Sequence, residues 1–251
     1  MEEAKAKVTA ATFSDDERSA VYRAIFERRD VRSQFLPDPI PNEVLARILN
    51  AAHHAPSVGF MQPWDFILIR DLQLRRRVLG NFLESNRQAS EIYAGERRGL
   101  YQSLKLQGIV DAPLNICITC DRKRPTGDGL GKQSIPETDV YSTVCAVQNL
   151  WLAARAESLG IGWVSIIDNT FLARTLGLPE RVIPIAYLCV GYVSHFAPLP
   201  DLETTGWSKR LPLASLIHFD QWDGRDEVKA KELLSAMNDR TANRTQARDG
   251  G

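Results

Sequence analysis

Three arginines and one aspartate stand within five residues, in the sequence Arg28-Arg29-Asp30-Val31-Arg32. Guanidinium groups are planar, charged forks that suit a phosphate group or the electron-rich edge of a heterocycle. Basic residues just past a helix are also typical of a C-terminal helix cap. The cluster therefore indicates either an anion and heterocycle site or a helix cap, and its neighbours in the sequence must decide.

Two further segments carry residues that suit a binding site. The loop at residues 55–64, Ala-Pro-Ser-Val-Gly-Phe-Met-Gln-Pro-Trp, is rich in residues with special backbone demands. Late in the chain, Ser208 and Arg210 add a second polar and basic position. The presence of these two segments favours a binding role for the arginine cluster over a helix cap alone.

Other motifs fail on their spacing. The glycine-rich segment 127–132 lacks the pattern of a phosphate-binding loop, so we interpret it as an ordinary loop. Cys117 and Cys120 are three residues apart on a predicted strand, which sends their thiols to opposite faces and indicates core residues. His53 and His54 are adjacent and cannot share a helical face. We therefore predict no redox pair and no protein-bound metal.

The elements that position these residues are predicted from hydrophobic periodicity. Ser14 to Glu17 forms a capping box before apolar residues at helical spacing, so a helix leads directly into Arg28. A second helix is predicted to open at Pro41 and to stop before Pro56. Strands are predicted at residues 66–69, 114–120, 163–167 and 182–193, with a short helix at residues 171–176 between the last two.

The remaining segments differ in polarity. Residues 73–108 are predicted to be helical and polar, either as a solvated arm or, at residues 85–108, as a lid. Residues 140–159 form a helix that is apolar on nearly all sides, which indicates burial within a domain or, as we prefer, between two subunits. We predict an N-terminal extension at residues 1–13, one domain at residues 14–222, and a charged, frayed tail at residues 223–251.

Composition excludes several classes of partner. The 251 residues include 31 Lys and Arg against 31 Asp and Glu, so no overall field favours a nucleic acid or an acidic membrane surface. The longest apolar stretch, at residues 182–193, is far shorter than the roughly 20 residues of a membrane span. With a charged N-terminus and four cysteines in apolar surroundings, the sequence predicts a cytoplasmic protein.

Four motifs then occur in an ordered series: Arg-Arg-x-x-Arg, Ala-Pro-Ser-x-x-x-x-Gln-Pro-Trp, Leu-Gly-x-Gly-Trp and Arg-Leu-Pro. This series resembles the nitroreductase-like FMN flavoproteins over residues 14–222. Longer strings, notably Arg-Arg-Asp-Val-Arg and Gly-Trp-Val-Ser-Ile, are most similar to the 5,6-dimethylbenzimidazole synthase family. The resemblance implies an α+β fold with a mixed, mainly antiparallel sheet flanked by helices, in an intertwined homodimer with FMN at the subunit interface.

The resemblance also implies roles for individual residues. Arg28 is expected to meet the phosphate or ribityl end of FMN, and Arg32 the N1/C2 edge of the ring, where its charge stabilises reduced flavin. Arg210 matches a late phosphate ligand, with Ser208 close by. The other expected flavin contacts are Arg29, Asp30, Val31, Ser57, Met61, Gln62, Leu104 and Ser165.

Three positions depart from the common nitroreductase pattern, namely Asp30 in place of serine, Phe60 in place of asparagine and Ser165 in place of glycine. A carboxylate beside a flavin that becomes anionic on reduction is unfavourable unless the reaction uses it. The synthase family implies such a use, because its members consume their own bound reduced FMN with O2. That reaction passes through a flavin peroxide to 5,6-dimethylbenzimidazole, the lower ligand of cobalamin, and erythrose 4-phosphate.

Asp30 and Ser165 are accordingly the predicted catalytic residues. Asp30 would shuttle protons at the ribityl C1′, and Ser165 would orient the peroxide or N5 by hydrogen bonding. The structural alternatives are a salt bridge from Asp30 to Arg29 or Arg32, and a small residue at 165 that is merely tolerated against the ring. A separate flavin reductase would supply reduced FMN.

Two other functions stay open. One is a conventional reductase that passes hydride from a nicotinamide through FMN to a nitroaromatic, a quinone or a cobalt corrinoid. The other is a flavin-binding or sensor protein without catalytic activity.

Overall fold

A computed structural model of the chain describes residues 12–124, 126 and 129–235. The chain divides into two units, residues 1–201 and 202–251. Much of the predicted N-terminal extension and of the predicted tail, at residues 1–11 and 236–251, lies outside the described residues, as do residues 127 and 128 of the glycine-rich loop.

A four-stranded sheet forms the centre of the first unit, in the order β1-β2-β4-β3 with antiparallel pairing between all neighbours. An isolated parallel bridge joins Asp30 to Ile161. The predicted α+β fold with a mixed, mainly antiparallel sheet is therefore confirmed. The strands are β1 Trp64–Ile69, β2 Leu114–Asp121, β3 Leu159–Val164 and β4 Val182–Tyr192.

Helices cover both faces of this sheet. Short 3-10 turns occur at Val58–Phe60 and Leu213–Leu216, and residues 227–235 of the second unit are helical. The other helices are α1 Asp15–Glu27, α2 Asn42–His53, α3 Leu72–Ser90, α4 Gly95–Ser103, α5 Thr138–Ala156, α6 Asn169–Leu176 and α7 Asp201–Thr204. None of the helices in the described part of the chain combines the length and the apolar composition that crossing a bilayer requires.

Period-two alternation along β2 separates two apolar layers. Leu114, Ile116 and Ile118 pack into a core formed with α2 and α5, whereas Cys117 packs into a second core formed with α3 and α6. The sheet is thus buried between two helical layers. Cys117 and Cys120 are both buried, which confirms the interpretation of these thiols as core residues.

The predicted start of α1 is confirmed by its capping box, and α2 begins at Asn42, one residue after the predicted Pro41. The Ser14 hydroxyl accepts a hydrogen bond from the Glu17 N–H at 3.3 Å, and the Glu17 carboxylate accepts one from the Ser14 N–H at 2.7 Å. Helix α2 follows Pro41 and ends at His53, before Pro56. Helix α1 therefore delivers the chain to Arg28, as the sequence predicts.

Two elements differ from the prediction. The helical stretch at residues 73–108 is two helices, α3 and α4, which are separated by a turn before Gly95. Strand β3 begins at Leu159 and ends at Val164, whereas the sequence predicted residues 163–167. The prediction of the strand was wrong because Gly160 and Gly162 weaken the strand signal, although the close approach of another segment requires both glycines.

Candidate functional site

The arginine cluster lies against the outer edge of β3. The Val31 N–H donates to the Ile161 carbonyl at 2.9 Å. A Cβ on Gly162 would stand 2.0 Å from the Val31 carbonyl oxygen, and one on Gly160 would stand 3.0 Å from the Val31 side chain. Only glycine permits this approach. The motif Leu-Gly-x-Gly-Trp contains the signal, since a glycine within a strand often marks a close backbone contact.

Asp30 is held between the strand and the arginines. One carboxylate oxygen, Oδ1, accepts a hydrogen bond from the Trp163 N–H at 2.9 Å, and Oδ2 accepts one from Arg32 at 2.6 Å. The predicted structural alternative, a salt bridge to Arg32, is therefore present. The side chain of Asp30 still keeps 32% of its surface exposed, so a ligand can reach it.

The pKa of Asp30 is raised above its ordinary value of 3.8. Burial is the main cause, and the positive charge of Arg32 together with the Trp163 N–H offsets part of it. An aspartate with a raised pKa takes up a proton at higher pH than usual. Asp30 is therefore suited to carry protons as well as to order its neighbours.

The three arginines have different surroundings. Arg29 donates to the Phe26 and Arg28 carbonyls at 2.8 Å each, and it also donates to the Pro198 carbonyl. Because Phe26 lies in the last turn of α1, Arg29 acts as the helix cap that the sequence left open as an alternative. The guanidinium carbon of Arg28 lies 4.9 Å from the centre of the Trp151 ring, which is a cation–π distance.

Arg32 connects the cluster to the end of α4. Its side chain is 12% exposed, and one of its terminal nitrogens donates to the Lys105 carbonyl at 3.4 Å, next to the half-buried Leu104. Within the described residues, the buried Nε of Arg32 has no hydrogen-bond acceptor. A positive group with a spare donor fits the electron-rich edge of a flavin.

Ser165 follows directly after β3 and is exposed. It borders a cavity of about 220 Å³, lined by Trp163, Ile167, Asn169, Tyr187 and neighbouring residues. The structure thus places Ser165 two residues beyond the N–H that binds Asp30. Asp30 and Arg32 are in direct contact and Arg32 reaches the residue after Leu104, whereas a contact between Ser165 and these residues stays a prediction.

The loop that contains Ser57, Met61 and Gln62 is attached near the start of α5, where Val58 binds Ser142. The Ser57 hydroxyl accepts from the Gln62 N–H at 2.8 Å, and Met61 is buried. Phe60 and Gln62 have positive φ angles of 53° and 47°, which non-glycine residues rarely adopt. Such strain is common at binding sites, where the surrounding structure holds the backbone in place.

Helix α5 supports both parts of the predicted site. The Val58 N–H donates to the Ser142 hydroxyl at 3.1 Å near the start of the helix, and Arg28 meets α5 at Trp151. The rise of an α-helix separates these two positions by about 13 Å along the axis. Sequence reasoning assigned no role to Ser142 or to Trp151, and nothing in a single sequence distinguishes them from core residues.

Ser208 and Arg210 belong to the second unit and are exposed. The Ser208 N–H donates to the Leu202 carbonyl at 3.1 Å, which folds this segment back on the same unit. Their contact with a flavin stays a prediction.

Alternative chemistries find little support in the described part of the chain. Burial raises the pKa of Cys117 to about 12 and also raises the pKa of Cys120, whereas reactive cysteines have lowered values. No group of three or more His, Cys, Asp and Glu side chains among the described residues is placed to hold a metal ion.

Comparison with known proteins identifies the family. The model of the nitroreductase family matches residues 25–192. A 5,6-dimethylbenzimidazole synthase of Rhodospirillum rubrum is 43% identical over 75% of this chain and 90% of its own length. A second, of Rhodobacter capsulatus, is 41% identical over 80% of this chain and 96% of its own length.

Solved structures agree on the fold. The crystal structure of oxidised iodotyrosine deiodinase bound to FMN and 3-iodo-L-tyrosine matches 80% of this chain and 99% of that chain, with a TM-score of 0.63 and 19% identity. The chain belongs to the nitroreductase family and, within it, to the 5,6-dimethylbenzimidazole synthases.

Proposed function

We propose that the chain converts reduced FMN and O2 into 5,6-dimethylbenzimidazole, the lower ligand of cobalamin, with erythrose 4-phosphate and a fragment that carries the remaining carbons and nitrogens of the pyrimidine ring as the other products. The names of the Rhodospirillum and Rhodobacter relatives support the benzimidazole product, and the FMN in the iodotyrosine deiodinase structure supports a flavin. The observation that carries the proposal is the carboxyl of Asp30, held at the edge of β3 with a raised pKa between arginines that suit a flavin.

The described residues fit reduced FMN by the chemistry of their donors. Arg28 offers a planar fork for the phosphate or ribityl end. Arg32, with its spare Nε–H, offers positive charge to the N1/C2 edge of the ring. When bound, reduced FMN supplies the electrons that O2 accepts, and its own ring and ribityl carbons become the products.

Asp30 and Ser165 handle protons and orientation in this proposal. Asp30 Oδ1 stays fixed by the Trp163 N–H, while Oδ2 exchanges its contact with Arg32 for a proton that the cleavage must move. The exposed hydroxyl of Ser165 orients the reacting edge of the ring. The loop at residues 57–62 borders the ring and the ribityl chain, and the segment around Leu104 closes over them to exclude water.

Two statements about partners form part of the proposal. The loop at residues 57–62 and the arginine cluster lie at separate positions along α5, so a homodimer in which each subunit supplies one part would complete the site. A separate flavin reductase supplies reduced FMN, and the reaction takes place in the cytoplasm.

The decisive test is the variant Asp30→Asn, supplied with reduced FMN and air. Asparagine keeps an acceptor for the Trp163 N–H but cannot carry the proton. We expect FMN affinity to change by less than about threefold and benzimidazole formation, followed by chromatography, to fall at least about a hundredfold. Unchanged product yield would refute the role of Asp30.

A matched control is Glu157→Gln. Glu157 forms an ion pair of similar length with Arg47, at 2.6 Å, between α2 and the end of α5. Its loss should leave the product yield unchanged. A general loss of activity in both variants would point to folding and not to proton transfer.

A conventional reductase is the main competing function. Purified protein mixed with FMN and NADH or NADPH distinguishes the two, because a reductase oxidises the nicotinamide rapidly whereas the synthase depends on reduced FMN made elsewhere. A bound flavin that survives reduction and air without loss would instead support a flavin-binding protein without catalytic activity.

A further inference from the structure

The C-terminal half of α5 meets the arginine cluster through Trp151. This side chain is 7% exposed, so it is nearly enclosed by protein. One face of its ring lies 4.9 Å from the guanidinium carbon of Arg28, and its indole N–H donates to the Arg29 carbonyl at 3.4 Å. A single side chain thus contacts two consecutive members of the cluster.

Arg155, one helical turn further along α5, contacts the residue just before the cluster. It donates to the Glu27 carboxylate at 2.9 Å, and its guanidinium carbon lies 4.1 Å from the centre of the Phe196 ring. The side chain of Arg155 is only 17% exposed. Because Glu27 is the last residue of α1, this ion pair fixes the point where the helix ends and the cluster begins.

We propose that Trp151 and Arg155 are positioning residues that hold Arg28 ready for the phosphate of the flavin, Trp151 by contact with the Arg28 guanidinium and Arg155 by fixing Glu27 at the end of α1. The inference rests on the proposed function and takes the phosphate, of the two parts of FMN offered to Arg28 there, as the group that Arg28 binds. Neither residue needs to touch the ligand, because both act through Arg28.

The physical reason is preorganisation. A free arginine side chain loses much rotational freedom when it binds a ligand, and this loss weakens binding. The cation–π contact with the Trp151 ring restricts Arg28 before the ligand arrives. Because the guanidinium is itself planar, this restriction also orients the N–H groups that can form paired hydrogen bonds with a phosphate.

A purely structural role for Trp151 predicts a different outcome. As a member of the core between the sheet and α5, Trp151 also contributes to stability. Damage to that core would weaken the binding of every ligand of the first unit to a similar extent. A loss of affinity for FMN without a matching loss for a flavin that lacks the phosphate would appear only if the residue acts through Arg28.

The test compares FMN with riboflavin, which lacks the phosphate, by quenching of flavin fluorescence. In Trp151→Leu we expect FMN affinity to fall about tenfold, because the cation–π contact and a hydrogen bond are both lost, while riboflavin affinity stays within about twofold. Trp151→Phe keeps an aromatic ring beside Arg28 and should lower the affinity for FMN only about threefold.

Arg155 provides a second, milder way to disturb Arg28, through Glu27. Arg155→Met should lower FMN affinity a few-fold without a matching change for riboflavin, and Arg155→Lys should restore most of it by keeping a charge beside Glu27. These variants and Trp151→Phe decide the question if Trp151→Leu fails to fold.

Leu150→Ala is the matched control. Leu150 is the neighbouring residue of α5 and is fully buried, but its side chain points into the core. The change should lower thermal stability and leave the ratio of FMN to riboflavin affinity as in the wild type.

The outcomes separate this inference from the proposed function. A wild-type protein that binds neither flavin, or both equally well, would refute the proposed role of the arginines. A wild type that prefers FMN, with Trp151→Leu retaining the full preference, would refute only the positioning role. Equal losses for both flavins in the Trp151 and Arg155 variants would do the same.

Discussion

Opposing effects act on the pKa of Asp30. Partial burial favours its neutral form, whereas Arg32 and the Trp163 N–H favour its charged form, and the net result is a raised pKa. The same carboxyl therefore orders the site when charged and holds a proton more readily than an exposed aspartate. This dual character distinguishes the segment from a cluster of arginines that only binds anions.

The raised pKa of Asp30 predicts a direction for the dependence of stability on pH. The ordinary pKa of an aspartate, 3.8, applies to Asp30 in the unfolded chain. As pH rises above this value, the unfolded chain loses the carboxyl proton of Asp30 first, so the folded state loses stability until pH exceeds the folded pKa. We expect the unfolding free energy of the wild type, relative to Asp30→Asn, to fall with rising pH over that window and then to stay level.

Urea unfolding of the wild type and Asp30→Asn across a pH series measures this difference. A difference that grows with pH would mean that the ion pair with Arg32 outweighs burial and that the carboxyl is charged throughout. In that case the proton-carrying role would lose its physical basis.

At the level of elements, the contact between β3 and residues 28–32 depends on the absence of side chains. Because a Cβ at position 162 would meet the Val31 carbonyl oxygen at 2.0 Å, Gly162→Ala must push the two segments apart. We expect this variant to lower the unfolding free energy by about 1–3 kcal/mol, measured by denaturant unfolding.

Gly80→Ala is the control for the glycine prediction. Gly80 lies inside α3, and among the described residues a Cβ there would have no heavy atom within 4 Å outside its own helix. Alanine should stabilise the helix by about 0.5–1 kcal/mol. A Gly162→Ala protein as stable as the wild type would contradict the prediction, because it would show that β3 and residues 28–32 can separate without lowering the unfolding free energy.

The elements also show where a single sequence is informative. Helices α1 and α2 are predictable because Ser14, Glu17 and Pro41 are local signals that act within a few residues. Strand β3 is not predictable, because its glycines respond to a segment more than 120 residues earlier in the chain. Local rules cannot register such a partner.

The residues of the candidate site also fall into those that a single sequence can predict and those that it cannot. The arginines, Asp30 and Ser165 stand out by residue type and by the order of the motifs. The supports, Trp151 and Ser142, are ordinary core-type residues whose roles come from the residues that they meet in space. Roles that depend on such long-range contacts become visible only in the folded structure.

At the scale of the whole molecule, α1 presents an unusual surface. The helix has no buried residue, and Val21, Tyr22 and Phe26 are between 51% and 68% exposed. On α5, Tyr141 and Val144 are exposed as well. Apolar surface of this extent favours an interface with another chain.

We expect the protein to be a homodimer in solution, measured by light scattering after size-exclusion chromatography. Tyr22→Arg should shift it toward the monomer, because a charge on this face would be buried without a partner. Leu83→Arg is the control, since Leu83 on α3 has the same exposure of 56%. A monomeric wild type would contradict the prediction, and a dimeric Tyr22→Arg would place the interface elsewhere.

Strand β3 is the last strand of the sheet, and an open last strand can recruit a strand from another molecule. Residues 30 and 31 occupy that edge through the bridge to Ile161 and the hydrogen bond to Trp163. The segment that we assign to flavin binding therefore also shields the sheet from intermolecular pairing. A mutation that loosens it would reduce solubility as well as flavin affinity, and the resulting aggregation could be mistaken for a simple failure to fold.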